Sequence, residues 1–445
     1  MYTIYSVSIV LFFAILSPYF LYQALRYRKY IRNLPQRLGY LPLSFNFDAD
    51  ESIWIQAVSV GEVLTVRALL PGLRERYPRL RIFLSTTTMT GHHVASTRVQ
   101  DVDGVFYFPL DLPFVIRRTM AVVKPRLFIM METELWPNLL RECRRTGVRT
   151  VLVNGRISAR SFPRYRFARR FFSRVLADVD RCCMQSEESA RRIVEIGAPR
   201  ERVSVSGSLK FDSLELPGTS VADRGRNRVL RYFRIPPERP VIIAASTLKG
   251  EEEPVLDAFQ RIRATWGNAL LILAPRKPER FGEVERLAQQ PGWRVALRTE
   301  LTVDADPRVD VVVLDSIGEL AQLYQVATVV FVGGSLADAG GHNILEPAVF
   351  GKPIVFGPHM HNFAEISRTF LENRGAVQVH TASELETVLV ELLSDPVRRA
   401  SLGAAARALV EANRGARQRT LAVITQLLPS DSPGTVLPFR ASEMR

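Results

Sequence analysis

From residue 53 onward, short apolar runs alternate with stretches whose apolar residues recur at helical spacing. The runs IWIQAV, RIFLSTT, GVFYFPL, RLFIMMET, RTVLVNGR, RCCMQS and VSVSGS come first, the last ending near Ser208. A second series follows: VIIAAST, LLILAPR, WRVALR, VVVLDS, VVFVGGS, PIVFGP and AVQVHT. Apolar runs separated by amphipathic stretches predict parallel strands covered by helices on both faces. Between the series, residues 214–228 (LELPGTSVADRGRNR) are rich in Pro, Gly and charge and read as a linker. The predicted fold class is α/β: two Rossmann-like domains, 38–217 and 229–425, with a cleft between them at the carboxyl ends of the strands. No short fixed period is present, which sets solenoids aside.

The first 25 residues carry no charge and include IVLFFAILSPYFLYQAL. Roughly 20 apolar residues suffice to span a bilayer, so residues 1–25 are expected to form an N-terminal membrane anchor. A basic start and a small-residue cleavage site are both missing, which argues against a signal peptide. Arg26, Arg28, Lys29, Arg32 and Arg37 follow at once. By the positive-inside rule they place the remaining chain at the cytoplasmic face of the membrane. A shallow interfacial helix is the alternative.

Charge narrows the partners. Lys and Arg number 59 against 45 Asp and Glu, a net +14 over 445 residues, which favours phosphorylated substrates or an acidic membrane face. No helix-turn-helix, zinc-finger or RNA-binding signature appears, so nucleic acid is not an expected partner. Cys143, Cys182 and Cys183 show no CxxC spacing and read as reduced thiols. Asp-x-Asp pairs recur outside any glycine-rich context, and the HMH of residues 359–361 has no neighbouring Cys or Asp in sequence, so no metal site is expected. The segment RYRFARRFFSR (164–174) interleaves arginine with aromatics, either as a membrane contact or as a charged helix with one buried face.

Candidate chemistry sits where strands end. In the second half, VVFVGGSLADAGGHNILEP places two glycine pairs between a strand and a helix. Glycines admit a close ligand, and amides at a helix start suit a phosphate. Glu346, one turn into that helix, could accept hydrogen bonds from ribose hydroxyls. Arg276 follows LILAP, where a guanidinium can pair with phosphate or carboxylate. Ser316-Ile317-Gly318-Glu319 and Ser246-Thr247 end two further strands. In the first half, SVGE puts Glu62 at a helix start, either as a dipole-stabilised acid or as a base. METELWPN places Glu132 and Glu134 after a buried strand, NGRISARS offers Arg156, and GSLKFD offers Lys210.

Together AVSVGE, METELWPN, NGRISARS, GSLKFD, PRKPERF, GGSLADAGGHNILEP and FGPHMHNF resemble the 3-deoxy-D-manno-octulosonic acid (Kdo) transferase family of lipopolysaccharide biosynthesis. The resemblance runs from the N-terminal anchor to about residue 420. It implies a GT-B fold, no cofactor, CMP-Kdo as donor, a lipid A precursor (lipid IVA) as acceptor at the inner membrane, and an inverting transfer without a catalytic metal. Matched by motif, the general base falls on Glu62 and the transition-state stabilisers on Glu132 and Lys210. The nucleotide contacts fall on Pro275 and Arg276, on Ile317, Gly318 and Glu319, and on Asn343, Ile344, Leu345 and Glu346. Leu248 and Lys277 stand where the family commonly has His. The alternatives are another membrane-associated GT-B glycosyltransferase or a sugar-nucleotide epimerase using a UDP-linked substrate, and a nucleotide-binding scaffold without catalysis.

Overall fold

The computed structural model describes residues 2–27, 33–214 and 231–429. All but the first residue of the expected linker, and the basic residues Arg28, Lys29 and Arg32, lie outside them. The chain divides into two compact units, Met1–Ser213 with Arg414–Arg445, and Leu214–Asn413.

The first unit holds β1 (Ser52–Ala57), β2 (Arg81–Thr86), β3 (Gly104–Tyr107), β4 (Pro125–Met131), β5 (Arg149–Gly155), β6 (Arg181–Met184) and β7 (Val203–Val205). They form one sheet in the order β3-β2-β1-β4-β5-β6-β7, every pairing parallel. The second unit holds β8 (Val241–Thr247), β9 (Leu270–Pro275), β10 (Val295–Leu297), β11 (Val311–Val313), β12 (Val329–Val332), β13 (Ile354–Phe356) and β14 (Val377–Gln378). These are also all parallel, in the order β10-β11-β9-β8-β12-β13-β14. Each strand overlaps one of the apolar runs read from the sequence.

Side chains alternate across a strand, and here both faces are covered. In β1, Ile53, Ile55 and Ala57 enter one buried cluster while Trp54 enters the cluster on the opposite face. Trp54 packs against Phe106 and Phe128, and its indole N–H donates to Ser85 at 2.7 Å. Both sheets reverse their winding beside their first strand, at β1/β4 and at β8/β12. Loops leaving such a pair diverge to opposite faces and leave a crevice at the strands' carboxyl ends, where ligands bind in open α/β sheets.

One boundary differs from expectation. The helix Ala416–Leu427, placed by sequence in the second domain, belongs to the first unit. Ala416, Leu421 and Ile424 join the apolar cluster under the first sheet. Asp212 accepts from Gly415 N at 2.9 Å and from Arg417 N at 3.1 Å, so the first unit supplies the cap of this helix. The expected spanning of a membrane by the N-terminal segment is not confirmed. The apolar N-terminus is helical over Tyr2–Tyr27, yet among the described residues no helix is long and apolar enough to cross a membrane. Tyr2 donates to Asp178 at 2.7 Å, Tyr5 to Asp111 at 3.1 Å, and Asn138 Nδ2 donates to Ser6 at 3.0 Å. These bonds tie one face of the helix Tyr2–Tyr27 to the first unit. Its other face leaves Ile4, Val7, Leu11, Phe12 and Ile15 exposed.

Asp212→Ala removes both acceptors from the start of the helix 416–427. A lost cap costs about 1 kcal/mol, or about fivefold in an opening equilibrium. Hydrogen–deuterium exchange over that helix should quicken by about that factor; an unchanged rate would count against the capping role.

Candidate active site

The helix Val60–Val66 begins directly after β1 with Ser59 at its N-cap. The Ser59 hydroxyl accepts from Glu62 N at 3.4 Å and donates to Glu62 Oε1 at 2.8 Å. Ser59 N donates to the same oxygen at 3.3 Å, and Val58 N donates to Oε2 at 2.8 Å. This reciprocal capping box fixes the carboxylate in one orientation. A carboxylate has about four lone-pair sites, so three donors leave Glu62 with room for one more proton partner. Burial raises its pKa, and so does the negative charge of Glu132, while the bonds from Val58 and Ser59 oppose the rise.

Glu132 and Glu134 leave the end of β4. Glu132 holds a left-handed backbone (φ 55°) while its N–H donates to Val153 O at 2.9 Å, tying the turn to β5. Glu134 is half-buried, and its pKa is pushed up to about 7, first by burial and then by the charge of Glu62. The structure therefore brings Glu62, Glu132 and Glu134 together at the β1/β4 reversal. Lys210 lies in the turn that follows β7, at the same edge of the sheet. That turn is held by Asn154 at the end of β5, whose Oδ1 accepts from Leu209 N at 3.0 Å.

Sequence reasoning gave no role to Asn154 or Asp111. Asp111 is buried and accepts from Asn138 N at 3.0 Å and Leu139 N at 2.8 Å, fixing the helix Pro137–Thr146 that closes METELWPN. Its partners lie 27 and 28 residues away, beyond any local pattern. Burial pushes its pKa up to about 6.

In the second unit, Pro275 ends β9 and Arg276 stands exposed after it, with its N–H donating to Thr247 O at 3.0 Å. Asn343 links the start of the helix Leu345–Val349 to its first acid: Oδ1 accepts from Leu345 N and Nδ2 donates to Glu346, both at 3.1 Å. Ile344 and Leu345 are buried beneath them. Burial raises the pKa of Glu346, opposed by Asn343 and by the charge of Arg276. Burial lowers the pKa of His342, as does Arg276. Arg276 is thus brought to the 342–346 turn, although 66 residues separate it from His342 in sequence. Glu319 accepts from Ser316 Oγ at 2.5 Å and Arg298 Nη2 at 2.9 Å, and the Arg298 guanidinium lies 3.6 Å from the centre of the Tyr232 ring. Gly318 beside it has φ 93°, and Ile317 is exposed.

The glycine-rich stretch is partly occupied by the chain itself. The amides of the glycine turn after β12 are not open to a ligand, because Glu251 accepts from Gly334, Ser335, Leu336 and Ala337. Among the described residues no group of three or more His, Cys, Asp or Glu is placed to hold a metal ion. His359 and His361 both face Asp338, at 3.4 and 3.7 Å. All three cysteines are buried and unpaired. Tyr165, Phe171 and Phe172 pack on the first unit's core, so the arginine-aromatic segment has one buried face.

Comparison with known proteins agrees with the motifs. Residues 32–213 match the family model described as 3-deoxy-D-manno-octulosonic-acid transferase (kdotransferase). The 3-deoxy-D-manno-octulosonic acid transferase of Haemophilus influenzae is 35% identical over 401 residues, covering 90% of this chain and 92% of that protein. The Bordetella pertussis transferase of the same name is 34% identical over 377 residues, covering 83% and 86%. Among solved structures, Anabaena HepE in complex with UDP aligns with a TM-score of 0.54 at 15% identity over 84% of this chain and all of that one, a likeness of fold alone. The two parallel-sheet Rossmann-like units resemble GT-B glycosyltransferases, and the chain belongs to the 3-deoxy-D-manno-octulosonic acid transferase family.

Proposed function

We propose that this Kdo transferase moves Kdo from CMP-Kdo to a hydroxyl of the lipid A precursor lipid IVA, with Glu62 as general base. The observation that carries the reading is the gathering of Glu62, Glu132 and Glu134 at the β1/β4 reversal, with burial raising the basicity of Glu62. A base must be ionised to act and basic enough to take a proton, and efficiency improves as its pKa rises toward the working pH. Glu62 takes the acceptor's hydroxyl proton as that oxygen bonds to the anomeric carbon. The bond from that carbon to the phosphate oxygen breaks, and CMP leaves with the electron pair. Attack opposite the leaving group inverts the anomeric centre. Lys210 offsets charge developing on the phosphate, and Glu132 supports the electron-poor sugar. Pro275, Arg276, Ile317–Glu319 and Asn343–Glu346 hold the nucleotide, with Arg276 nearest in kind to the phosphate.

The acceptor is an amphiphile, and the N-terminal helix supports attachment to a membrane. Its polar side bonds the first unit through Tyr2, Tyr5 and Ser6, while Ile4, Val7, Leu11, Phe12 and Ile15 face outward. Exposed apolar side chains on a helix with no charged side chain before Arg26 suit burial in lipid. The enzyme then works at the cytoplasmic face of the inner membrane.

Glu62→Gln keeps the shape of the capping box and removes the base. Transfer from CMP-Kdo to lipid IVA should fall by about 10²–10⁴-fold while CMP-Kdo affinity stays within about twofold of wild type; undiminished transfer would sink the assignment. A second expectation follows from Glu134, whose pKa rises from about 4.5 to about 7 on folding. Between those values the folded chain keeps a proton that the unfolded chain has lost, so this group's contribution to stability falls as pH rises. The melting temperature of Glu134→Gln should therefore decline less than that of wild type between about pH 5 and pH 7. Parallel profiles for the two proteins would show that the proton on Glu134 is not coupled to folding.

A further inference from the structure

We propose that Glu251 is a positioning residue for the nucleotide donor: its carboxylate fills the amide nest of the turn 334–337 and so sets where His342–Glu346 stand. The inference rests on the reading that Asn343–Glu346 hold the donor.

Glu251 is fully buried at the start of the helix Glu252–Thr265. Its Oε2 accepts from Leu248 N at 2.9 Å and Gly334 N at 2.7 Å. Its Oε1 accepts from Ser335 N at 3.0 Å, Leu336 N at 2.9 Å and Ala337 N at 3.1 Å. Five backbone donors saturate the roughly four lone-pair sites of a carboxylate, so no acceptor capacity is left for substrate. Successive amides converging on one anion are the arrangement that elsewhere cradles a phosphate. Here the anion is part of the chain, and the β8/β12 reversal is closed by it.

The clamp reaches the donor contacts through main-chain bonds. Gly334 O accepts from Gly341 N at 2.7 Å, and Gly341 leads directly into His342 and Asn343. Ser335 O accepts from His359 N at 2.9 Å, and Ser335 Oγ accepts from Gly357 N at 2.8 Å. The turn is thereby fixed on three sides, and the approach is close enough to require glycine. A Cβ on Gly333 would stand 2.7 Å from Thr247 Cα and 2.9 Å from Glu251 Oε2. One on Gly334, whose φ is 65°, would meet the His342 ring at 2.9 Å. The ring's Nε2 is buried there without a hydrogen-bond partner, so His342 is held by packing on this turn. With the nest already negative, the donor phosphate is excluded from 334–337 and left to Arg276.

Three measurements test this on the full chain. In wild-type protein without nucleotide, amides 334–337 should resist hydrogen–deuterium exchange as well as those of β12. Rapid exchange that becomes protected only when CMP is added would overturn the proposal. Glu251→Gln sets an NH₂ group against the amides, and an unmet buried donor of this kind shifts equilibria by about tenfold or more. KM for CMP-Kdo should rise by about tenfold or more, with kcat changed by less than about threefold; an unchanged KM, or a loss confined to kcat, overturns the role. Glu251→Ala should lose CMP affinity and regain part of it when formate occupies the vacated nest, which a merely misfolded variant would not do. A folded, weak-binding alanine variant indifferent to formate counts against the clamp. If wild-type chain fails to bind CMP at all, the donor reading falls, while the exchange measurement still judges the clamp on its own.

Discussion

A carboxylate buried at the carboxyl edge of a parallel sheet is tolerable only where donors point at it, and in both units a strand-end glutamate meets that constraint chiefly with backbone amides. Desolvating an ionised group without such partners costs several kcal/mol. Glu62 meets the requirement with two amides and a hydroxyl, Glu251 with five amides. The difference in number separates their roles. Three donors orient Glu62 and leave it a lone pair to act with, whereas five leave Glu251 nothing but a structural use. The same chemical group at the same topological position keeps a free lone pair in one sheet and is a fastening in the other.

The sheets explain why those positions recur. In each, the winding reverses beside the first strand, so two adjacent loops turn away from one another. In the first unit the vacated edge collects three like-charged acids, and their mutual repulsion adds to burial in holding Glu134 near a pKa of 7. In the second, the edge collects one exposed arginine facing a histidine and a glutamate of raised basicity. An edge dominated by carboxylates suits the removal of a proton. An edge with an exposed guanidinium suits holding an anion.

Much of this was legible in the sequence because parallel strands buried on both faces leave continuous apolar runs, and all fourteen strands fall on such runs. Glu62 and Glu132 were legible through local words, SVGE and METELWPN, since a capping box and a strand-end acid each fit within a few residues. What escaped lies in long-range bonds. Glu251 reads as one acid among three in GEEE, and its partners are 83 to 86 residues away. The helix Ala416–Leu427 reads as the last helix of the second domain because amphipathic spacing does not say which sheet a helix covers. The bonds of Tyr2, Tyr5 and Ser6 to the folded unit are equally long-range, and a hydropathy count does not see them.

The same logic bears on both departures from the family's words. Leu248 stands where His is common, in the turn between β8 and the helix that Glu251 opens. Its contribution to the clamp is a backbone N–H donated to Glu251 at 2.9 Å, which any residue but proline supplies. Glu252, the next acid, is buried and paired with Arg280 at 2.7 Å, so the turn is fastened from its far side as well. Lys277 precedes that short Pro278–Arg280 segment and leaves its pairing intact. At both positions, the interactions that shape the turn run through main chain and through Glu251, Glu252 and Arg280. Substitution there can therefore alter what meets the donor without loosening the frame that presents it.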